Sequence, residues 1–242
     1  MSAVDTRMPA ATAPAPNWRF VDVALIGGVS LVVLLGGVYG LRQLRLDTIA
    51  LALAATLLEG IVLTSTVYFL GIRRRGFGWT AVGLRPASGS SIALATGFGV
   101  LALFLTGLIA LLVQQLLHES PQNPQLPFLV PQGFSWPAFI GMFVLAGLVA
   151  PFAEELYFRG VLYRWLRNRW GVWIGAFGSA IVFGLAHGDI AIGAGAAFMG
   201  LLQAVSFERS RSLWTTFLIH AVNNGVKVVL LYALLAMGVK LR

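Results

Sequence analysis

Read for apolar and polar positions, the chain is a series of long apolar runs separated by short polar ones. Residues 20–41 form the first, about 33 Å long as a helix and enough to cross the ~30 Å hydrocarbon core of a bilayer. Residues 48–72 form the second, with Glu59 inside it, and residues 91–117 the third. Residues 136–158 form the fourth, and a helical pattern runs on to about Arg169. Residues 172–187 give a short fifth run. Residues 190–207, rich in the Gly and Ala that allow close helix packing, give the sixth, and 213–235 the seventh. Strands of a membrane barrel would alternate polar and apolar positions, and these runs do not. The pattern therefore predicts an all-α polytopic transmembrane helical bundle with seven membrane helices, or eight if the long fourth segment breaks.

Composition supports lipid as the solvent. Of 242 residues, 58% are hydrophobic and only 11% charged, and the mean hydropathy is +0.83. A soluble domain carries about 25% charged residues. The formal net charge of +8 would raise the question of nucleic acid in a soluble protein. Here the arginines sit in short loops between apolar runs, where they set orientation and meet lipid headgroups. No nucleic acid partner is expected. Without cysteine, disulfides, thiolate metal sites and a cysteine nucleophile are excluded.

Residues 1–18, rich in Ala and Pro, read as a disordered tail rather than a signal peptide. Residues 19–242 read as one membrane domain. Arg73, Arg74, Arg75 and Arg85 form the densest cluster in a short loop, which places that loop and the N-terminus in the cytoplasm. Alternation adds Arg164, Arg167, Arg169, Arg209 and Arg211 to that side, with Arg42 and Arg45 a minor violation. The loop 118–131, which contains no Lys or Arg, falls outside.

Ionisable residues within spans are costly and therefore functional candidates. The first group is Glu154-Glu155-Leu156-Tyr157-Phe158-Arg159. Glu155 and Arg159, four apart, share a helix face and can pair, in an orienting or a chemical role. Glu154 is turned about 100° from Glu155, which leaves it as an unpaired carboxylate facing the bundle interior, the setting of a general base. The second group runs from Phe183 to His187, one turn apart on one face, with Gly188 a natural helix stop beyond. The third is His220-Ala221-Val222-Asn223-Asn224, where His220 and Asn224 share a face. Such a donor pair either joins helices by hydrogen bonds or binds a developing oxyanion. Measured along a straight fifth helix, His187 lies about 24 Å from its start. Glu154 and His220 lie two to three turns in, so this helix must tilt strongly, or begin within the interface, for His187 to reach them.

Glu-Glu-x-x-x-Arg, then Phe-x-x-x-His, then His-x-x-x-Asn, in this order within residues 150–231, resembles the signature motifs of the CAAX protease and bacteriocin-processing family (CPBP, or Abi) of intramembrane proteases. The resemblance implies that Glu154 and His187 activate water for attack on an amide carbonyl. It gives His220 and Asn224 the oxyanion, and Glu155, Arg159 and Phe183 orienting roles. It leaves a metal open: either no cofactor, or a divalent ion such as zinc held by Glu154, His187 and His220. It implies a multi-pass protein of the bacterial cytoplasmic membrane, with membrane lipids and a hydrophobic or membrane-anchored protein or peptide substrate as partners. Two rival readings stand beside it. One is a non-catalytic membrane scaffold or bacteriocin-immunity protein on the same fold. The other is a proton-coupled transporter with Glu59, Glu154 and His220 as a relay, although no internal repeat supports that.

Overall fold

A computed structural model describes residues 17–119, 126–130 and 133–239. Among these the chain is all-α, with seven helices of 14 residues or more. They are α1 (Phe20–Gln43), α2 (Thr48–Arg73), α3 (Gly89–Leu116), α4 (Trp136–Trp170), α5 (Val172–Leu185), α6 (Ile190–Ser210) and α7 (Leu213–Ala236). Six are long and apolar enough to span a bilayer. The exception, α5, has 14 residues, about 21 Å of helix, and falls short of the hydrocarbon thickness. The bundle expected from the apolar runs is borne out. The long fourth segment does not break but runs continuously for 35 residues.

That segment is nonetheless irregular. Within α4, wide π turns at Leu145–Val149 and Phe158–Tyr163 flank the regular stretch Ala150–Tyr157. Pro151 has no N–H for a bond to the preceding turn, so the helix there must loosen or kink. The two π turns re-aim the segment that carries Glu154, Glu155 and Arg159, and such turns are frequent at functional sites.

The ends of the helices that carry basic residues are tied together at one end of the bundle. The Trp18 indole donates to the Gly160 carbonyl at 2.9 Å. Trp18, read from composition as the last residue of the tail, is 2% exposed; residues 1–16 lie outside the described residues. Arg74 and Arg75 pair with the buried Asp22 at the start of α1. The Leu213 N–H donates to the Gly83 carbonyl at 2.7 Å. Glu208 accepts from Arg167, Arg211 and Tyr163.

The depth of His187 resolves differently from the sequence expectation. Gly171, at φ 90°, a backbone conformation that glycine adopts without cost, folds α5 back on the end of α4. Glu154 precedes this turn by 17 residues and His187 follows it by 16, so the hairpin places them at about the same distance from the turn. Glu154 is not two to three turns in but about 24 Å along α4 from Trp170. His220 reaches the same level because α7 begins deeper. From Glu155 to Trp170 is 15 residues and from Leu213 to His220 is seven, so α4 outruns α7 by about 12 Å.

Glycines set the helix spacing. A Cβ on Gly184 of α5 would lie 2.5 Å from the Gly193 carbonyl of α6, and Gly147 of α4 rests against the Gly225 backbone of α7. This is the small-residue contact that replaces hydrophobic driving force inside lipid. Gly184→Val is expected to wedge α5 from α6 just below His187 and to cost about 1–3 kcal/mol. Thermal unfolding in detergent checks this.

Candidate active site

Four helices converge on one polar cluster. The Glu155 carboxylate is its hub and is fully buried. Its Oε1 accepts from Arg159 Nη1 at 2.9 Å, from Gln203 Nε2 at 2.9 Å and from His220 Nδ1 at 3.1 Å. Arg159 Nη2 in turn donates to Gln203 Oε1 at 2.5 Å. The Arg159 guanidinium also stacks over Phe183, 4.6 Å from the ring centroid. The two charges meet each other and the Gln203 amide, which lowers the penalty of taking them out of water, while Arg159 Nε and Glu155 Oε2 are left without a partner.

Gln203 is the member that sequence reasoning missed. It lies alone among small and apolar residues of α6 with no motif around it. The one available signal was that an amide in a span needs a partner.

Glu154 lies on a different side of α4 and is 14% exposed. Its Oε2 receives no donor from the fold and stands 3.7 Å from His220 Nε2. Across the contact with α2, its carboxyl meets that of Glu59. Gly60, beside Glu59, lets α2 approach: a Cβ there would sit 2.5 Å from Val149.

His187 follows the end of α5. Its Nδ1 lies 2.9 Å from the Phe183 carbonyl. A carbonyl only accepts, so Nδ1 carries the proton and Nε2 presents a lone pair. A proton likewise sits on His220 Nδ1, which faces the Glu155 carboxylate. The Phe183 ring stands edge-on between the two imidazoles, with centroids 4.9 Å from His187 and 5.7 Å from His220. Asn224 donates to the Ala146 carbonyl at 3.3 Å and accepts from Asn223 at 2.9 Å.

The structure thus joins Glu154, Glu155, Arg159 and His220 directly. Phe183 links His187 to them, and Asn224 lies one turn further along the His220 face. Among the described residues no three carboxylate or imidazole groups gather at metal-ligand spacing. Glu154, His187 and His220 therefore do not fit a zinc site as they stand.

Together, fold and cluster define a polytopic helical membrane protein with a buried carboxylate–imidazole site. Part of the chain is similar to known membrane peptidases. Residues 136–226 match the family model described as type II CAAX prenyl endopeptidase Rce1-like. The candidate membrane peptidase YdiL of Bacillus subtilis (strain 168) is 25% identical over 89 residues, which are 37% of this chain and 36% of that protein. The chain thus spans about a third of the length of the curated relative it matches. No solved structure matches the chain. The resemblance to the CPBP intramembrane proteases carried by the three motifs is borne out over this segment, which contains every motif residue and ends just beyond Asn224.

Proposed function

We propose that the chain is an intramembrane endopeptidase that hydrolyses a peptide bond in a membrane-associated protein or peptide. The observation that carries this reading is the Glu154 carboxylate oxygen that no donor of the fold satisfies, 3.7 Å from an imidazole nitrogen, inside a bundle of helices long and apolar enough to cross a membrane. A water admitted beside this pair could bond to both groups.

Glu154 takes a proton from that water, helped by the His187 lone pair, as the water oxygen bonds to the amide carbon. The carbonyl electrons move to oxygen. His220, protonated on Nε2 as well, donates to this oxyanion together with the Asn224 amide. Collapse restores the carbonyl, breaks the carbon–nitrogen bond and returns the proton from Glu154 to the leaving amine. Glu155, Arg159 and Gln203 hold the His220 ring and its Nδ1 proton in place. The basic end faces the cytoplasm, following the arginine distribution. Water enters from that side and the substrate through lipid. A protein or peptide of the membrane is the substrate class that a site at this depth admits.

Purified protein in liposomes, given membrane-anchored peptides, is expected to cleave them at one site, with a rate unchanged by a chelator. Loss of cleavage on chelation would overturn the metal-free route. His220→Ala and Asn224→Ala are each expected to lower kcat by about 10²–10³-fold, measured by mass spectrometry of the products.

A further inference from the structure

Lys227 is an ionisable side chain of α7 that none of these roles uses. It is 14 residues from Leu213 and nine from Ala236, about 21 Å and 14 Å from the two ends of the helix. A lysine that merely carries its charge back to the interface sits nearer an end. Its Nζ donates to the Thr106 hydroxyl of α3 at 3.2 Å, a neutral partner, and no carboxylate pairs with it among the described residues. The residue is exposed at the surface of the bundle.

Its position relates it to the site. His220, Asn224 and Lys227 follow the i, i+4, i+7 spacing of a single helix face. Lys227 is also close enough to act electrostatically on both His187 and His220. An ammonium at hydrocarbon depth with only a hydroxyl for company is costly, and an arriving anion would offset that cost.

We propose, building on the peptidase reading, that Lys227 anchors a carboxylate carried by the substrate. Asn224, at the oxyanion, and Lys227 are one turn apart. With the reach of the lysine, the carboxylate lies about 5–11 Å from the scissile carbonyl, or one to three extended residues. A free chain terminus and an acidic side chain present the same chemistry there.

The test separates binding from cleavage. A pooled library of apolar pentapeptides is offered as free acids, as C-terminal amides, and as amides ending in Asp. Binding is measured to the full chain in nanodiscs carrying Glu154→Gln, with Lys227 intact, Lys227→Met or Lys227→Arg. With Lys227 intact, the free-acid or Asp pool is expected to bind about 10- to 100-fold more tightly than the neutral amide pool. The stronger of the two identifies the source of the carboxylate. The preference is expected to vanish in Lys227→Met and to persist in Lys227→Arg. Equal binding of all pools, no binding of any, or a preference that survives Lys227→Met overturns the proposal. Absence of cleavage by the protein with Glu154 intact, despite the binding preference, would overturn the peptidase reading alone.

Discussion

Glu154→Gln is expected to lower the rate of peptide cleavage by about 10²–10⁴-fold, the contribution of a positioned general base, while leaving the fold intact. The two halves of this expectation have separate structural grounds. The substitution is isosteric, and Glu154 Oε2 is bonded to no donor, so no donated hydrogen bond is lost. The new amide can still donate to the Glu59 carboxyl, replacing the carboxyl–carboxyl contact. The unfolding temperature should therefore stay within a degree or two of the parent. What goes is an oxygen bonded to no donor and 3.7 Å from His220 Nε2. Glu155 is a poor substitute, because it is fully buried and its charge is held by Arg159, Gln203 and His220. Measured together, turnover in liposomes and thermal unfolding in detergent decide the matter. Full activity in Glu154→Gln would remove the glutamate mechanism and leave the scaffold reading. A variant that loses both activity and stability would make Glu154 a structural residue.

The fold was legible where a single physical constraint dominates. Backbone polar groups in lipid must be satisfied within the segment, so a long apolar run such as 91–117 had to be a helix close to Gly89–Leu116. The motif residues were legible for the opposite reason: Glu154, Glu155, His187 and His220 are expensive where they stand. Properties that depend on pairs of helices were hidden. Gln203 looks like a stray amide until α6 brings it to Glu155 and Arg159. Glu59 was visible as a buried carboxylate, but its meeting with Glu154 depends on the close approach at Gly60. Lys227 is an ionisable residue within a span and was passed over all the same; its hydrogen-bond partner, Thr106, lies 121 residues away in the chain. The depth of His187 was misjudged because it was measured from a helix end, although the spacing about Gly171 was already present in the sequence.

The largest expected effect on stability comes from Arg159→Met. Arg159 is 1% exposed and supplies the positive charge that matches Glu155, with Gln203 bonded to both. Removing one member of a buried pair leaves the other charge uncompensated and costs about 3–5 kcal/mol. Gln203 would also lose the donor to its Oε1, and Glu155 Oε1 would keep only Gln203 Nε2 and His220 Nδ1, so the His220 ring would lose the placement from which it meets the oxyanion. Arg159→Met should therefore destabilise the protein and also abolish activity in whatever fraction folds. The double variant Glu155→Gln, Arg159→Met separates these effects. With both charges gone and an amide still able to accept from His220 and Gln203, much of the stability should return, since replacing a whole buried pair is often close to neutral. Activity should stay low, because an amide holds the His220 proton less firmly than a carboxylate. Thermal unfolding of the parent, the single variant and the double variant checks the first part, and product formation checks the second. If the single variant were as stable as the parent, the ion pair would not be what holds α4, α6 and α7 around the site.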